Sequence, residues 1–297
     1  MKRYKKDEIS FHLMILPGIV LLILFSIVPM FGVVMAFQNF MPARGIMNSP
    51  WVGLANFRYL FVLNESIQSI VNTVIIAVSK IIAGLVFPLI FALALNTVRT
   101  KLLKRLSQTT VYLPFFLSWV ILATVFTNIL DLKGPINHLI EALGGERIYF
   151  LINNAWFRPI LIITDTWKNL GYNTVIFIAA IVSIDPTLYE AAEVDGASKF
   201  KQLLHITLPG IKTTIILLAT LSLGNVLNAG FDQVFNLYNP LVYQTGDIID
   251  TFIYRIGLVQ AQFGLATAVG LLRSAVGMIL IIISYRLASR FANYRIF

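Results

Sequence analysis

Four charged residues interrupt long apolar runs in this chain: Lys80, Asp165, Lys168 and Arg273. A charge in such a run is costly in an apolar surrounding and normally meets a partner or a water-filled space. Asp165 and Lys168 stand three apart, on one turn of a helix, and are expected to pair with each other. Lys80 and Arg273 have no partner nearby in sequence and are expected to meet a second subunit or a polar pathway. A second group, Asn225, Asn228, Asp232, Gln233, Asn236, Tyr238 and Asn239, is polar, planar and closely spaced. Amide and carboxylate edges match paired hydroxyls, and aromatic faces cover C–H surfaces, so the group suits carbohydrate binding; taken singly, such residues also serve turns and helix caps. Trp119 and Trp167 suit ring stacking or anchoring at a membrane interface.

Bond-making chemistry is poorly served. The chain has no cysteine, which removes thiolate catalysis, disulfides and cysteine-based metal sites together. His12, His138 and His205 fall in unrelated segments, without the spacing of a metal site or a catalytic triad. The phosphate-cradling Gly-x-x-x-x-Gly-Lys-Ser/Thr loop is absent, and no Gly-Lys dipeptide occurs anywhere. The expectation is a chain with no catalytic residue, no metal and no cofactor of its own.

The elements that must position these residues are helices in a membrane. Hydrophobic residues make up 58% of the chain and charged ones 12%, against roughly 45–50% and 25% in a soluble domain. Six apolar stretches, about 13–37, 70–95, 111–130, 159–182, 211–227 and 265–288, each approach the roughly 20 residues of a spanning helix. The ten-residue alternation of a membrane barrel is absent, so helices must satisfy the backbone. The fold expected is an all-α polytopic bundle of about six transmembrane helices, forming a single domain over 1–297.

Orientation follows from the basic residues between spans. One set of segments holds Lys2, Arg3, Lys5, Lys6, Arg99, Lys101, Lys104, Arg105, Lys199, Lys201, Lys212, Arg286, Arg290 and Arg295. The alternate set holds only Arg44, Arg58, Lys133, Arg147, Arg158 and Arg255. Both termini are therefore expected in the cytoplasm, and the net charge of +9 reflects topology rather than nucleic-acid binding. The stretch 13–37 is longer than a signal-peptide core, so it is expected to remain as the first span.

Between the fourth and fifth stretches, residues 183–210 read SIDPTLYEAAEVDGASKFKQLLHITLPG. Asp185 is a ready N-cap, Pro186 fits the first helical position, and Gly196 offers the left-handed conformation that ends a helix. Ser198 caps a second helix, which alternates polar and apolar residues to Ile206, and Pro209 precedes the next span.

The spacing Glu190-Ala191-Ala192, then Asp195-Gly196, then Ile206-Thr207-Leu208-Pro209 resembles the EAA loop of permeases in binding-protein-dependent ABC importers. Leu203 departs from the Phe that many members carry. Residues 231–258 look like the same region in oligosaccharide-importer permeases of the lipoprotein-dependent subgroup, related to the maltose type, and the similarity runs from the second stretch to the C-terminus. The resemblance implies that Glu190, Ala191, Ala192, Asp195, Gly196, Ile206, Leu208 and Pro209 form a coupling helix seated in an ATPase subunit. It also implies a second permease, two ATPase subunits using Mg-ATP, an extracytoplasmic solute-binding protein and a sugar substrate. The setting would be the cytoplasmic membrane of a prokaryote, with membrane lipid around the chain. The alternatives are an importer for a non-sugar solute, a passive or ion-coupled carrier, and an intramembrane enzyme. Carrier folds often show repeats with broken helices in matching positions, and none is visible in this sequence.

Overall fold

The computed structural model describes residues 2–98 and 100–291, with side chains over 11–98 and 100–289. Lys2, Arg3, Lys5, Lys6, Arg99, Arg290 and Arg295, which carry half of the orientation argument, have side chains outside these. Two compact units make up the chain: Met1–Asn64 with Ile253–Leu272, and Glu65–Phe252 with Arg273–Phe297.

In the first unit, α1 (Lys2–Leu22) runs into a π turn, Ile23–Ile27, closed by the Val28 N–H on the Ile23 carbonyl. Pro29 explains the wider turn, since its ring crowds the carbonyl four residues earlier and it has no N–H to donate. A 3-10 segment, Phe31–Phe37, follows, and Gln38 then forms an antiparallel bridge with Trp51. Every side chain from Phe11 to Phe31 is exposed. So long an apolar surface is stable only when lipid or another chain covers it.

The second unit holds most of the remaining helices. They are α2 (Asn64–Thr97), α3 (Lys101–Tyr112), α4 (Trp119–Leu130), α5 (Pro135–Ala142), α6 (Asn154–Val182), α7 (Pro186–Val194), α8 (Lys212–Leu223) and α9 (Phe231–Leu237). The last helix, α10 (Phe263–Phe291), runs from the first unit into the second. One core cluster joins Ile76, Phe157, Leu161, Val234, Val242 and Ile248; another joins Ala92, Phe177, Ile181 and Ile211. Helices α3 and α6 approach closely at Gly171, where a Cβ would lie 2.6 Å from the Val111 carbonyl oxygen. Small residues allow such approach between helices in lipid, where packing replaces the hydrophobic effect as the driving force.

Among the described residues, four helical stretches are long and apolar enough to cross a membrane. Two bent pairs bring the number to six if each is one span: α6 with α7, at 66°, and Lys199–Gly210 with α8, at 55°. The fold is all-α, as the composition requires.

Two expected spans are corrected. The stretch 111–130 is not one helix: α3 stops at Tyr112, a 3-10 turn occupies Leu113–Phe116, Leu117 is extended, and Ser118 caps α4 by accepting from the Ile121 N–H. Pro114, which has no N–H to donate, weakens the helix at this point, and the apolar run conceals the break. The stretch 211–227 is helical only to Leu223, beyond which turns carry the chain through Asn225 and Asn228.

Candidate functional sites: a capped hairpin and a polar cleft

Residues 185–210 form the hairpin that the local signals predict. The Asp185 carboxylate accepts from the Thr187 N–H at 3.0 Å, capping α7. Those bonds to Thr187 hold the Asp185 carboxyl below its ordinary range. At the other end Gly196 has φ +73°. Its N–H reaches the Glu193 carbonyl at 3.1 Å, and the Ala197 N–H reaches that of Ala192 at 2.8 Å. This pair of bonds is a Schellman motif, which satisfies carbonyls the helix end would leave open and requires a left-handed residue.

Ser198 caps the second arm through the Lys201 N–H at 3.4 Å. That arm is helical only over Lys199–Gln202. A π turn, Leu203–Thr207, replaces the regular helix expected up to Ile206, with the Leu208 N–H on the Leu203 carbonyl. The cause is again a proline just beyond, Pro209, which cannot donate and crowds the preceding turn. Two contacts join the arms: the Tyr189 hydroxyl meets the Thr207 hydroxyl at 2.9 Å, and Lys199 pairs with Glu193. Sequence reasoning does not single out Tyr189, because its partner lies on the other arm.

The hairpin presents an apolar surface with Glu190 exposed beside it. Val194 is 89% exposed and Phe200 67%, with Leu188 and Leu204 also exposed. Ala191, Asp195 and Pro209 are exposed, whereas Ala192, Ile206 and Leu208 are half-buried. Exposed apolar side chains around a rigid, capped turn are what a protein partner would cover.

The second site is a cleft of about 340 Å³ inside the unit of α2, α6 and α8. Its polar walls include Lys80, Asp165, Asn169, Asn173, Asn225 and Asn228. Asp165, Asn169 and Asn173 recur every fourth residue and so share one face of α6. That stripe is legible in the sequence, but only Asp165 stands out there, because it is charged.

The charges do not pair as expected. Lys80, 9% exposed, donates to the Ala229 carbonyl at 2.6 Å and to the Gln233 side-chain oxygen, and lies 3.7 Å from Asp165. Lys168 turns instead to the break between α3 and α4, donating to the carbonyls of Pro114 (3.4 Å), Phe115 (3.1 Å) and Leu117. Its ammonium sits 5.6 Å from the Trp119 ring centroid. Carbonyls released by a broken helix thus meet the donor that most needs acceptors in lipid. Arg273 pairs with Asp250 at 2.8 Å and also donates to the Leu227 carbonyl. Lys80 and Arg273, which lack partners nearby in sequence, find them within this chain. Trp167 packs edge-on against Phe126.

Of the seven polar residues between 225 and 239, Asn225 and Asn228 line the cleft. Gln233 is fully buried: besides accepting from Lys80, it donates to the Leu161 carbonyl at 2.8 Å and to the Thr164 hydroxyl at 2.7 Å. Asn239 accepts from the Leu241 N–H and donates to the Leu151 carbonyl, and Tyr238 packs against the core. Asp232 and Asn236 are exposed on α9, where the Asn236 amide bonds the Asp232 carbonyl at 2.7 Å. The expected cluster therefore divides into two cleft residues, three buried or packed ones, and two on a helix surface.

A multi-pass all-α membrane protein with a capped helical hairpin and an intramembrane polar cleft is the class these features define. Residues 84–293 match the binding-protein-dependent transport system inner membrane component family, and the chain belongs to that family. It is 43% identical to the polygalacturonan/rhamnogalacturonan transport system permease protein YteP of Bacillus subtilis (strain 168), over 96% of this chain and 89% of that one. It is 39% identical to Protein LplB of the same organism, over 100% and 93%. Among solved structures it resembles a bacterial ABC transporter involved in import of the acidic polysaccharide alginate. The TM-score is 0.88 at 36% identity, covering 98% of this chain and 99% of that one. A structure of the bacterial alginate transporter in complex with an alginate pentasaccharide-bound periplasmic protein gives the same TM-score at 35% identity, covering 99% of each chain.

Proposed function

We propose that this chain is the permease subunit of an ATP-driven importer that passes an oligosaccharide from a solute-binding protein into the cytoplasm. The observation that carries the reading is the hairpin 185–210: its caps make a rigid, apolar, exposed turn at the positions where the family resemblance puts the contact with an ATPase. Two ATPase subunits using Mg-ATP and a second permease complete the assembly, in the cytoplasmic membrane of a prokaryote with both termini inside. The whole chain acts as one transmembrane domain. Glu190, Ala191, Ala192, Asp195, Gly196, Ile206, Leu208 and Pro209 transmit nucleotide-driven closure to the spans.

Asn225 and Asn228, with Asn169 and Asn173, meet the sugar in the cleft, where amide edges match hydroxyl pairs. Relatives named for polygalacturonan, rhamnogalacturonan and alginate make uronate-containing oligosaccharides the first substrates to test. The sequence alternatives, a non-sugar solute or a passive carrier, gain no support from the site.

The test is ATP hydrolysis by the reconstituted complex with its binding protein across a panel of oligosaccharides, comparing wild type with Glu190→Ala. Stimulation by a sugar, weakened in the variant, supports the reading. Transport without any ATPase partner, indifferent to Glu190, overturns it.

A further inference from the structure

Helix α3 starts at the edge of the membrane, and two placements agree on this. Helices α2 and α6 run side by side in one direction: the Asn173 amide meets the Gly84 carbonyl at 3.4 Å, and Ala92 packs with Phe177 and Ile181 further along. Both spans therefore end at one level, near Thr97 and Val182, and α3 begins at Lys101, just past Thr97. From its other end, Val111 and Tyr112 lie against Gly171. At about 1.5 Å per residue, Lys101 stands roughly 15 Å from that contact, about the distance from Gly171 to Val182.

At this level the outer surface of α3 combines two chemistries. Leu102, Leu103 and Leu106 are 65%, 57% and 55% exposed. Lys101 and Arg105 are exposed beside them, Lys104 is half-buried, and Ser107, Gln108 and Val111 form the half-buried opposite face. Helical spacing puts Lys101 and Arg105 in one row and Leu102 and Leu106 in the next. The sequence has no Asp or Glu between Glu65 and Asp131. Among the described residues, no carboxylate pairs with any of the three basic side chains. Lys101 and Arg105 are one turn apart, where like charges repel unless an anion lies between them.

We propose that the start of α3 binds an anionic phospholipid, with the phosphate between Lys101 and Arg105 and the acyl chains over Leu102, Leu103 and Leu106. The proposal rests on the membrane class of the chain and not on the importer reading. A lipid of this kind carries negative charge directly above apolar chains, the complement of basic side chains beside leucines at the end of a span. A dissolved phosphate would leave the leucines uncovered. A lipid without net charge would leave the basic row uncompensated. An acidic protein surface would meet the charges, but it would have to displace lipid from leucines level with the last turns of two spans.

The test uses the protein in nanodiscs, together with the subunits that copurify with it. Trace phosphatidylglycerol or phosphatidylcholine with a photoreactive acyl chain is added, and adducts on residues 102–113 are quantified by mass spectrometry after chymotryptic digestion. Wild type, Lys101→Gln, Arg105→Gln and Lys133→Gln are compared; all three altered side chains are exposed, so the fold is retained. In wild type, phosphatidylglycerol is expected to label the segment at least five-fold more than phosphatidylcholine. That ratio should fall about five-fold in Lys101→Gln and in Arg105→Gln, the effect of one basic residue near an anionic headgroup. Lys133→Gln, on another segment, should leave it unchanged. Equal labelling by the two lipids in wild type, or an unchanged ratio in both α3 variants, overturns the site. An equal fall in Lys133→Gln also overturns it, because the preference would then belong to the overall charge of the protein. Absence of adducts from either lipid would mean that protein covers the segment. So would loss of the copurifying subunits from the α3 variants at an unchanged lipid ratio, and either result replaces the lipid site with a subunit contact.

Discussion

The hydroxyls of Tyr189 and Thr207 meet at 2.9 Å, joining the two arms of the hairpin 18 residues apart in sequence. Thr207 is buried and lies in the π turn that leads to α8, so this bond ties the exposed helix α7 to the base of a span. Tyr189→Phe removes it while keeping the ring. The expected effects are a loss of about 0.5–1.5 kcal/mol in stability and a lower ratio of solute moved to ATP hydrolysed. Thr207→Val should add little to Tyr189→Phe in a double-mutant cycle; full additivity of the two would show that the bond has no coupling role.

Gly196 tests the turn itself. At φ +73°, with no atom within 4 Å of the place a methyl would occupy, the cost of substitution is conformational alone. Gly196→Ala should lower stability by roughly 1–2 kcal/mol and Gly196→Asn by less, because a short polar side chain tolerates this region. Gly196→Pro cannot adopt the conformation and should uncouple hydrolysis from uptake with membrane insertion intact. Thermal melting of the purified complex and uptake in vesicles read the two effects.

Asp185 contributes a pH dependence of known sign. Its folded-state pKa lies below the ordinary value because of the Thr187 bonds. Its stabilisation is therefore present above that ordinary value and lost as pH falls through the lower folded one. Asp185→Asn should keep most of the cap and remove this acid-side loss, whereas Asp185→Ala should lose the cap at every pH. Melting temperature against pH over the acid range separates the three proteins.

The Lys80–Gln233 contact predicts non-additivity. Gln233→Leu leaves Lys80 short of an acceptor and takes one donor from the Leu161 carbonyl, at a cost of about 1–3 kcal/mol. Lys80→Met with Gln233→Leu should cost less than the sum of the single changes, since removing a buried polar pair together is milder than orphaning one member. Denaturation of all four proteins in one detergent gives the cycle. A sum of independent losses would mean that the pair is not a unit.

Lys168 should prove structural. Lys168→Met takes the ammonium from the Phe115 and Leu117 carbonyls at the break, and roughly 1–3 kcal/mol of stability should go. Trp119 packs beside the ammonium, so its fluorescence should shift with the substitution. Wild-type stability and spectrum in that variant would place the ammonium elsewhere.

The hairpin is legible in the sequence because its determinants are local. Asp185, Pro186, Gly196 and Ser198 each act within four residues of themselves, and caps of that range are written in consecutive positions. The π turn before Pro209 is less so: helical alternation runs through 199–206, and the widening appears only when the turn must accommodate the proline. The break at 113–118 is hidden for a related reason. A proline in an apolar run is compatible with a kinked helix or a broken one, and the balance is tipped by Lys168, more than 50 residues away.

The sequence by itself determined the membrane class, the all-α fold and the approximate positions of most spans, because each depends on the length and composition of contiguous segments. It also carried the family, through a spacing that is read along one chain. Only the tertiary structure decided partners. Asp165 lies one turn from Lys168, yet Lys80 on α2 approaches it and Lys168 serves the break before α4. Gln233 has the chemistry of a ligand contact and is instead the satisfied centre of a buried network. In lipid, a polar side chain goes to whichever group on a neighbouring helix can meet its hydrogen bonds, and that depends on packing across the bundle, not on distance along the chain.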